Sequence, residues 1–124
     1  MMKEAENWWK QAEADLATAK DNLGISRFSY AIFLCEQSVE KALKALYLKK
    51  FNEIPRIHDL TIFARKLKLP SKLYQNCEDL TNVYTETRYP DASEVIPADK
   101  FTKDEAEEFV KKAEEIIKWM ENKI

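Results

Sequence analysis

The stretch from Phe28 to Phe51, FSYAIFLCEQSVEKALKALYLKKF, contains neither Gly nor Pro and constrains the fold more than any other. It reads as one long helix with two unlike halves. In the first half, Phe28, Tyr30, Ala31, Ile32, Phe33, Leu34 and Cys35 leave almost no polar side, and a helix apolar all round must be covered from several directions. In the second half the apolar set narrows to Val39, Ala42, Leu43 and Leu46, the spacing of one helical face. Glu36, Gln37, Glu40, Lys41 and Lys44 occupy the other side. There the pair Glu40 and Lys44, four residues apart, reads as part of a solvated face, worth a few tenths of a kcal/mol.

The rest of the chain supplies helices to do the covering. The first runs from about Lys3 to Asn22, with Ala5, Trp8, Ala12, Leu16, Ala19 and Leu23 on one face and Trp9 broadening it. Gly24, the only Gly in the chain, reads as its left-handed cap, with Ile25 folding back on the last turn. Ser26 offers an N-cap to the central helix, and so short a link makes the two helices antiparallel neighbours. Pro55 blocks helix after Phe51, and Asp59 caps a short helix to about Leu69 with Leu60, Phe63, Ala64 and Leu67 inward. Pro70 and Ser71 punctuate the chain. A fourth helix follows to about Thr87, with Leu73, Cys77, Leu80 and Tyr84 in a stripe, and it must end near Tyr89 because Pro90 follows. DASEVIPADKF reads as a loop. Thr102 and Glu105 form a capping box for the last helix, which turns Ala106, Phe109, Val110, Ala113, Ile116, Ile117 and Met120 inward. No alternating strand pattern occurs. The expected fold is all-α: an antiparallel up-and-down four-helix bundle with one additional short helix, built as a single domain spanning residues 1–124.

A net charge of −2 argues against a general nucleic-acid binder, which usually carries a basic face. No apolar run approaches the roughly 20 residues of a membrane span, and the acidic, amphipathic start MMKEAENWWKQ does not read as a signal peptide. The two Cys, Cys35 and Cys77, sit at apolar-stripe positions and read as free buried thiols of a cytoplasmic protein. A bundle di-iron site needs Glu-x-x-His on two helices. The chain has one His, His58, with Pro55 three residues before it, so no metal site and no cofactor are expected. Nor does either Cys lie in a recognisable nucleophile motif with His.

Three sets of residues remain as candidates for a site. His58 precedes an N-cap and reads as a loop-closing hydrogen-bonding residue or as a site residue near the central helix. Gln37, Glu40, Lys41 and Lys44 form a solvated face or line a cleft with an acid and amines. In Tyr84-Thr-Glu-Thr-Arg-Tyr-Pro-Asp91, Arg88 either caps helix carbonyls or pairs with Asp91. Alternatively, its guanidinium fork between Tyr84 and Tyr89 suits a phosphate with a stacked base.

Taken together, these stretches resemble the HEPN family of small helical domains. The matching pieces are Trp9 with Ala12-Glu13-Ala14-Asp15-Leu16, then Glu36-Gln37-Ser38-Val39-Glu40-Lys41-Ala42-Leu43-Lys44-Ala45-Leu46, His58-Asp59-Leu60, and Arg88-Tyr89-Pro90-Asp91. They span nearly the whole chain in the expected order. The resemblance implies an up-and-down bundle that forms a homodimer, nucleotide or RNA as ligand, and a minimal nucleotidyltransferase as partner in a toxin–antitoxin-like pair. Catalytic members are metal-independent ribonucleases with Arg, four to six residues, then His. This chain departs from that pattern: the window after Arg88 holds Ser93, Glu94 and Val95. The cleavage role is therefore not carried over, and Arg88 keeps a binding role.

The leading expectation is a non-catalytic nucleotide- or RNA-binding module. Its ligand set is Arg88, Tyr84, Tyr89, Asp91, Gln37, Glu40, Lys41, Lys44 and His58. The alternatives are a metal-independent ribonuclease with a noncanonical acid–base group such as His58 or Glu40, and a dimeric protein-interaction module without ligand. Independently of the family, the all-apolar half of the central helix needs cover, which either a two-fold contact or the short helix and the 90s loop supply.

Overall fold

The computed structural model describes residues 2–89 and 95–124, and of Thr85 and Arg88 only the backbone. Among these residues lie six helices and no strand: α1 Lys3–Gly24, α2 Phe28–Phe51, α3 Leu60–Lys66, α4 Ser71–Arg88, α5 Pro97–Lys100 and α6 Lys103–Glu121. α2 has the bounds its sequence predicts and packs against all five other helices. Two contacts fix the directions. Ile32, near the start of α2, shares a small apolar cluster with Val83 near the end of α4 and with Phe101 and Ala106 at the head of α6. At the opposite end, Lys49 of α2 donates to the carbonyls of Lys123 and Ile124 at 3.1 and 2.9 Å. Hence α2 and α6 run the same way, with α1 and α4 against them. The result is an all-α, up-and-down antiparallel four-helix bundle, with α3 and α5 as additions.

The main core runs from Trp9 through Cys35, Leu43, Phe63 and Leu80 to Met120. From Cys35 to Leu48, only Gln37 and Lys41 are less than fully buried. The expected solvated face is therefore wrong for Glu40 and Lys44, which are 5% and 7% exposed, and Glu36 one turn before them is 1% exposed. α2 is enclosed by the other helices along nearly its whole length, so its polar side chains pair with neighbours rather than with water. The two tryptophans divide differently from expectation. Trp9 joins the core and Trp8 is only partly buried, because adjacent helical residues point about 100° apart.

The link between α1 and α2 also differs from the sequence reading. Gly24 has no positive φ and Ser26 has φ 62°. Arg27 N–H donates to Asn22 O at 2.8 Å and Ser26 N–H to Leu23 O at 3.1 Å. This is a Schellman motif displaced by two residues from the glycine. Ser26 serves it instead of capping α2. The N-cap of α2 is Arg27, with no side-chain cap. Ile25 does not fold back and is 67% exposed.

The expected caps of the later helices are present. Asp59 accepts from Thr61 N at 3.0 Å. Thr102 accepts from Glu105 N at 3.2 Å, while Glu105 Oε1 accepts from Thr102 N at 3.0 Å. The segment read as a loop before Thr102 contains α5, a single turn opened by Pro97 in its first turn, where a missing N–H costs nothing. α5 packs on α2 and α4 and covers part of the apolar half of α2 from within the chain. Tyr30 still stands 60% exposed there, near Ile96 at 53%. Among the described residues, no helix is long and apolar enough to cross a membrane.

Candidate functional site

The helical repeat of α2 places Glu36, Glu40 and Lys44 in one row, each four residues from the last. What meets this row is decided by the chain after α2. Pro55 keeps residues 52–59 out of a helix, so the segment folds back until Asp59 caps α3. Leu60 N–H then donates to Thr81 Oγ1 at 2.9 Å, tying the head of α3 to α4 one turn before Tyr84. His58 is thereby set between Glu40 and Tyr84.

Glu40 is the hub. Its Oε1 lies 2.9 Å from His58 Nδ1 and its Oε2 accepts from Lys44 Nζ at 3.2 Å. The two partners are unequally placed: the His58 side chain is 67% exposed, while those of Glu40 and Lys44 are 6% and 9% exposed. A carboxylate at Nδ1 holds the proton on that nitrogen and turns Nε2 outward, free to accept or donate. The imidazole also stacks on Tyr84, with centroids 6.4 Å apart at 11°. Tyr84 in turn stands 6.5 Å from Phe33. On the α1 side, Lys44 Nζ lies 5.5 Å from the centre of the Trp8 ring, a cation–π contact. A cleft of 440 Å³ opens here, lined by Trp8, Lys44, Ile54, Pro55, Arg56 and His58.

Of the residues expected to form a site, Glu40, Lys44, His58 and Tyr84 come together. Lys41 does not join them. It pairs with Asp15 of α1, which also accepts from Gln11 Nε2 at 2.8 Å. With Ser38 Oγ donating to Ala12 O at 2.7 Å, this forms a polar seam between α1 and α2. Gln37 donates to Glu36 Oε1 at 2.8 Å. Tyr89 lies just beyond α4 and is 47% exposed. The Arg88 side chain and Asp91 lie outside the described residues. Sequence reasoning missed Trp8 and Arg56 as cleft residues. A signal for Trp8 was available: of two adjacent tryptophans, only one can face the core squarely. Arg56 carried none beyond its place next to Pro55.

The thiols take no part. Both Cys35 and Cys77 are buried and their pKa values are pushed up to about 12. Burial is the main cause for each, and Glu114 adds to it for Cys35. Such thiols are inert as nucleophiles. Among the described residues, no three His, Cys, Asp or Glu side chains converge as metal donors.

The chain matches the model of the HEPN domain over residues 5–123. Among solved structures it is similar to TT1696 from Thermus thermophilus, with 31% identity over 99% of this chain and 100% of that one, at a TM-score of 0.91. It is likewise similar to ST0689, an archaeal HEPN homologue, with 33% identity over 98% of each chain and a TM-score of 0.84. No curated protein matches it.

Proposed function

Because the chain belongs to the HEPN family, we propose that it is a nucleotide- or RNA-binding module whose ligand lies along the polar row of α2 and the adjoining end of α4. The observation that carries this reading is the Glu40 hub. A buried carboxylate holds an exposed imidazole on one side and a buried ammonium on the other, and the imidazole stacks on an aromatic ring. Lys44 and Arg88 take phosphate in this reading, and Tyr84 or Tyr89 the base, since base–aromatic stacking contributes about 1–3 kcal/mol. Gln37 and Asp91 add polar contacts to the ligand in this reading. Lys41 is assigned a smaller part than Lys44, because Lys44 lines the cleft while Lys41 is held by Asp15 in the α1–α2 seam. The module acts as a homodimer with a minimal nucleotidyltransferase as partner in a toxin–antitoxin-like pair, in the cytoplasm. The exposed Tyr30 and Ile96 beside α5 support the two-fold contact. The test is Arg88→Ala. Nucleotide or RNA affinity falls while the melting temperature holds. A matched loss of both would make Arg88 a structural cap instead.

One observation favours a second reading. A carboxylate-oriented imidazole with Nε2 facing solvent is the arrangement of a general base, which suits metal-independent RNA cleavage without the Arg-x-His spacing. An assay on single-stranded and structured RNA in chelator separates the two readings. Cleavage that survives both His58→Ala and Glu40→Gln removes the general-base assignment.

A further inference from the structure

The cleft beside Trp8 presents more positive hydrogen-bond donors than its own acceptors satisfy. Lys44 Nζ makes one hydrogen bond among the described residues, to Glu40 Oε2 at 3.2 Å. An ammonium has three donors, and this one belongs to a residue only 7% exposed. Arg56 lines the same cleft and has no ion-pair partner among the described residues. His58 adds the outward Nε2. No carboxylate lines the cleft among the described residues, and Glu40 beneath it has one oxygen toward His58 and the other toward Lys44. The remaining walls are the Trp8 ring, Ile54 and Pro55. Oxygen acceptors carrying negative charge are thus what this space lacks, and a flat or apolar group is what its walls accept.

We infer that the cleft is a pocket for a phosphomonoester borne on a nucleoside. The inference deepens, and rests on, the nucleotide- or RNA-binding reading. Two oxygens of the phosphate meet the guanidinium fork of Arg56, which matches a phosphate bidentately. The Lys44 ammonium takes the third oxygen, and His58 Nε2 shares a proton with the group from the open side. Three cationic or proton-sharing groups lining one cleft suit a terminal dianionic phosphate better than a singly charged diester. In this pocket the nucleoside lies against Trp8 and Pro55, which take the stacking part otherwise given to Tyr84 or Tyr89. The volume, 440 Å³, lies within the range of small-ligand clefts, about 300–1,000 Å³. Two sources share this chemistry: a free mononucleotide and the 5′-phosphate end of an RNA.

The test is calorimetric titration of the full chain in chelator. The ligands are inorganic phosphate, AMP, adenosine, and a short single-stranded RNA with either a 5′-phosphate or a 5′-hydroxyl. AMP binds at least about tenfold more tightly than adenosine, a difference that calorimetry resolves easily. Arg56→Ala removes that preference with the ligand-free melting temperature unchanged, because Arg56 is exposed and has no ion pair to lose among the described residues. Lys44→Met, confirmed folded by circular dichroism, also removes it. A preference for 5′-phosphate over 5′-hydroxyl RNA assigns the RNA end as ligand. Preference for AMP alone assigns the free nucleotide. Equal binding of AMP and adenosine, or a preference intact in Arg56→Ala, overturns the pocket. RNA bound without regard to its 5′ end, together with no AMP preference, overturns the pocket and leaves the broader reading standing. AMP bound as expected with no RNA affinity keeps the pocket and narrows the broader reading to nucleotides.

Discussion

Replacing Glu40 by Leu strips the acceptor from Lys44, whose side chain is 9% exposed, and leaves an ammonium inside the protein with no counter-charge. Breaking a buried pair in this way costs about 3–5 kcal/mol. The cleft beside Lys44 admits water, which places the loss near the lower end, about 3 kcal/mol. Lys44→Met has a milder effect, about 1–2 kcal/mol, since Glu40 keeps His58 as its other partner. The double variant Glu40→Leu/Lys44→Met replaces a buried pair by apolar groups of similar length, a change that is often neutral. Its stability stays within about 1 kcal/mol of the parent. The two sites therefore couple by about 3–5 kcal/mol, at or above the high end for neighbouring residues. Equilibrium unfolding in urea, followed by far-ultraviolet circular dichroism, reads this out. With a slope of about 2 kcal/mol/M, Glu40→Leu lowers the midpoint by about 1.5 M and the double variant returns most of it, with the slope unchanged. A double variant as unstable as the sum of the singles would refute the reasoning, because the two charges would then not depend on each other. A stable double variant that no longer binds nucleotide would show that the pair is kept for its site and not for the fold.

Smaller perturbations test the local accounts. Gly24 is helical with nothing within 4 Å of an added Cβ, so Gly24→Ala raises stability by about 0.5–1 kcal/mol. Ser26, at φ 62°, gains about 0.5 kcal/mol as Gly. Thermal melts of both variants check the displaced cap. Thr102→Ala costs about 1 kcal/mol by removing the capping box of α6, measured the same way. Neither thiol reacts with a disulfide reagent in the native protein, and both react in denaturant. With thiol pKa values raised to about 12 in the fold, the unfolded chain ionises first, near pH 9. Their contribution is therefore full below about pH 9 and is lost as pH rises from there toward 12. The loss is smaller in Cys35→Ala/Cys77→Ala than in the parent.

How much of this was readable beforehand follows from what each signal depends on. The bounds of α2 were legible because a long run without Gly or Pro, ending before Asn52 and Pro55, leaves little choice. The capping box at Thr102 was legible because it is a local hydrogen-bond pattern. The α1–α2 turn was misread because glycine preference at a left-handed position is worth only about 1 kcal/mol, too little to fix the turn at Gly24 rather than at Ser26. α5 was missed because a single turn of helix has too few residues to show a period. The error over Glu40 and Lys44 is the most instructive. Periodicity assigns polar residues to water, but α2 has neighbours on all sides, and a buried polar group needs only a partner. Lys44 finds its acceptor locally in Glu40, but the partners that enclose the pair, His58 and Trp8, come from residues far along the chain, and no local pattern announces them.

The central claim is that ligand binds at the Glu40, Lys44 and His58 cleft. Nuclear magnetic resonance of the isotope-labelled chain, titrated with a short single-stranded RNA and then with AMP, tests it most directly at 14.6 kDa. The account predicts saturable shifts of the His58 ring, the Lys44 amide and the Tyr84 ring, which weaken in His58→Ala. Shifts confined to another basic face, such as the hollow of Lys49, Lys50, Lys68 and Trp119, or no shifts with either ligand, would contradict it.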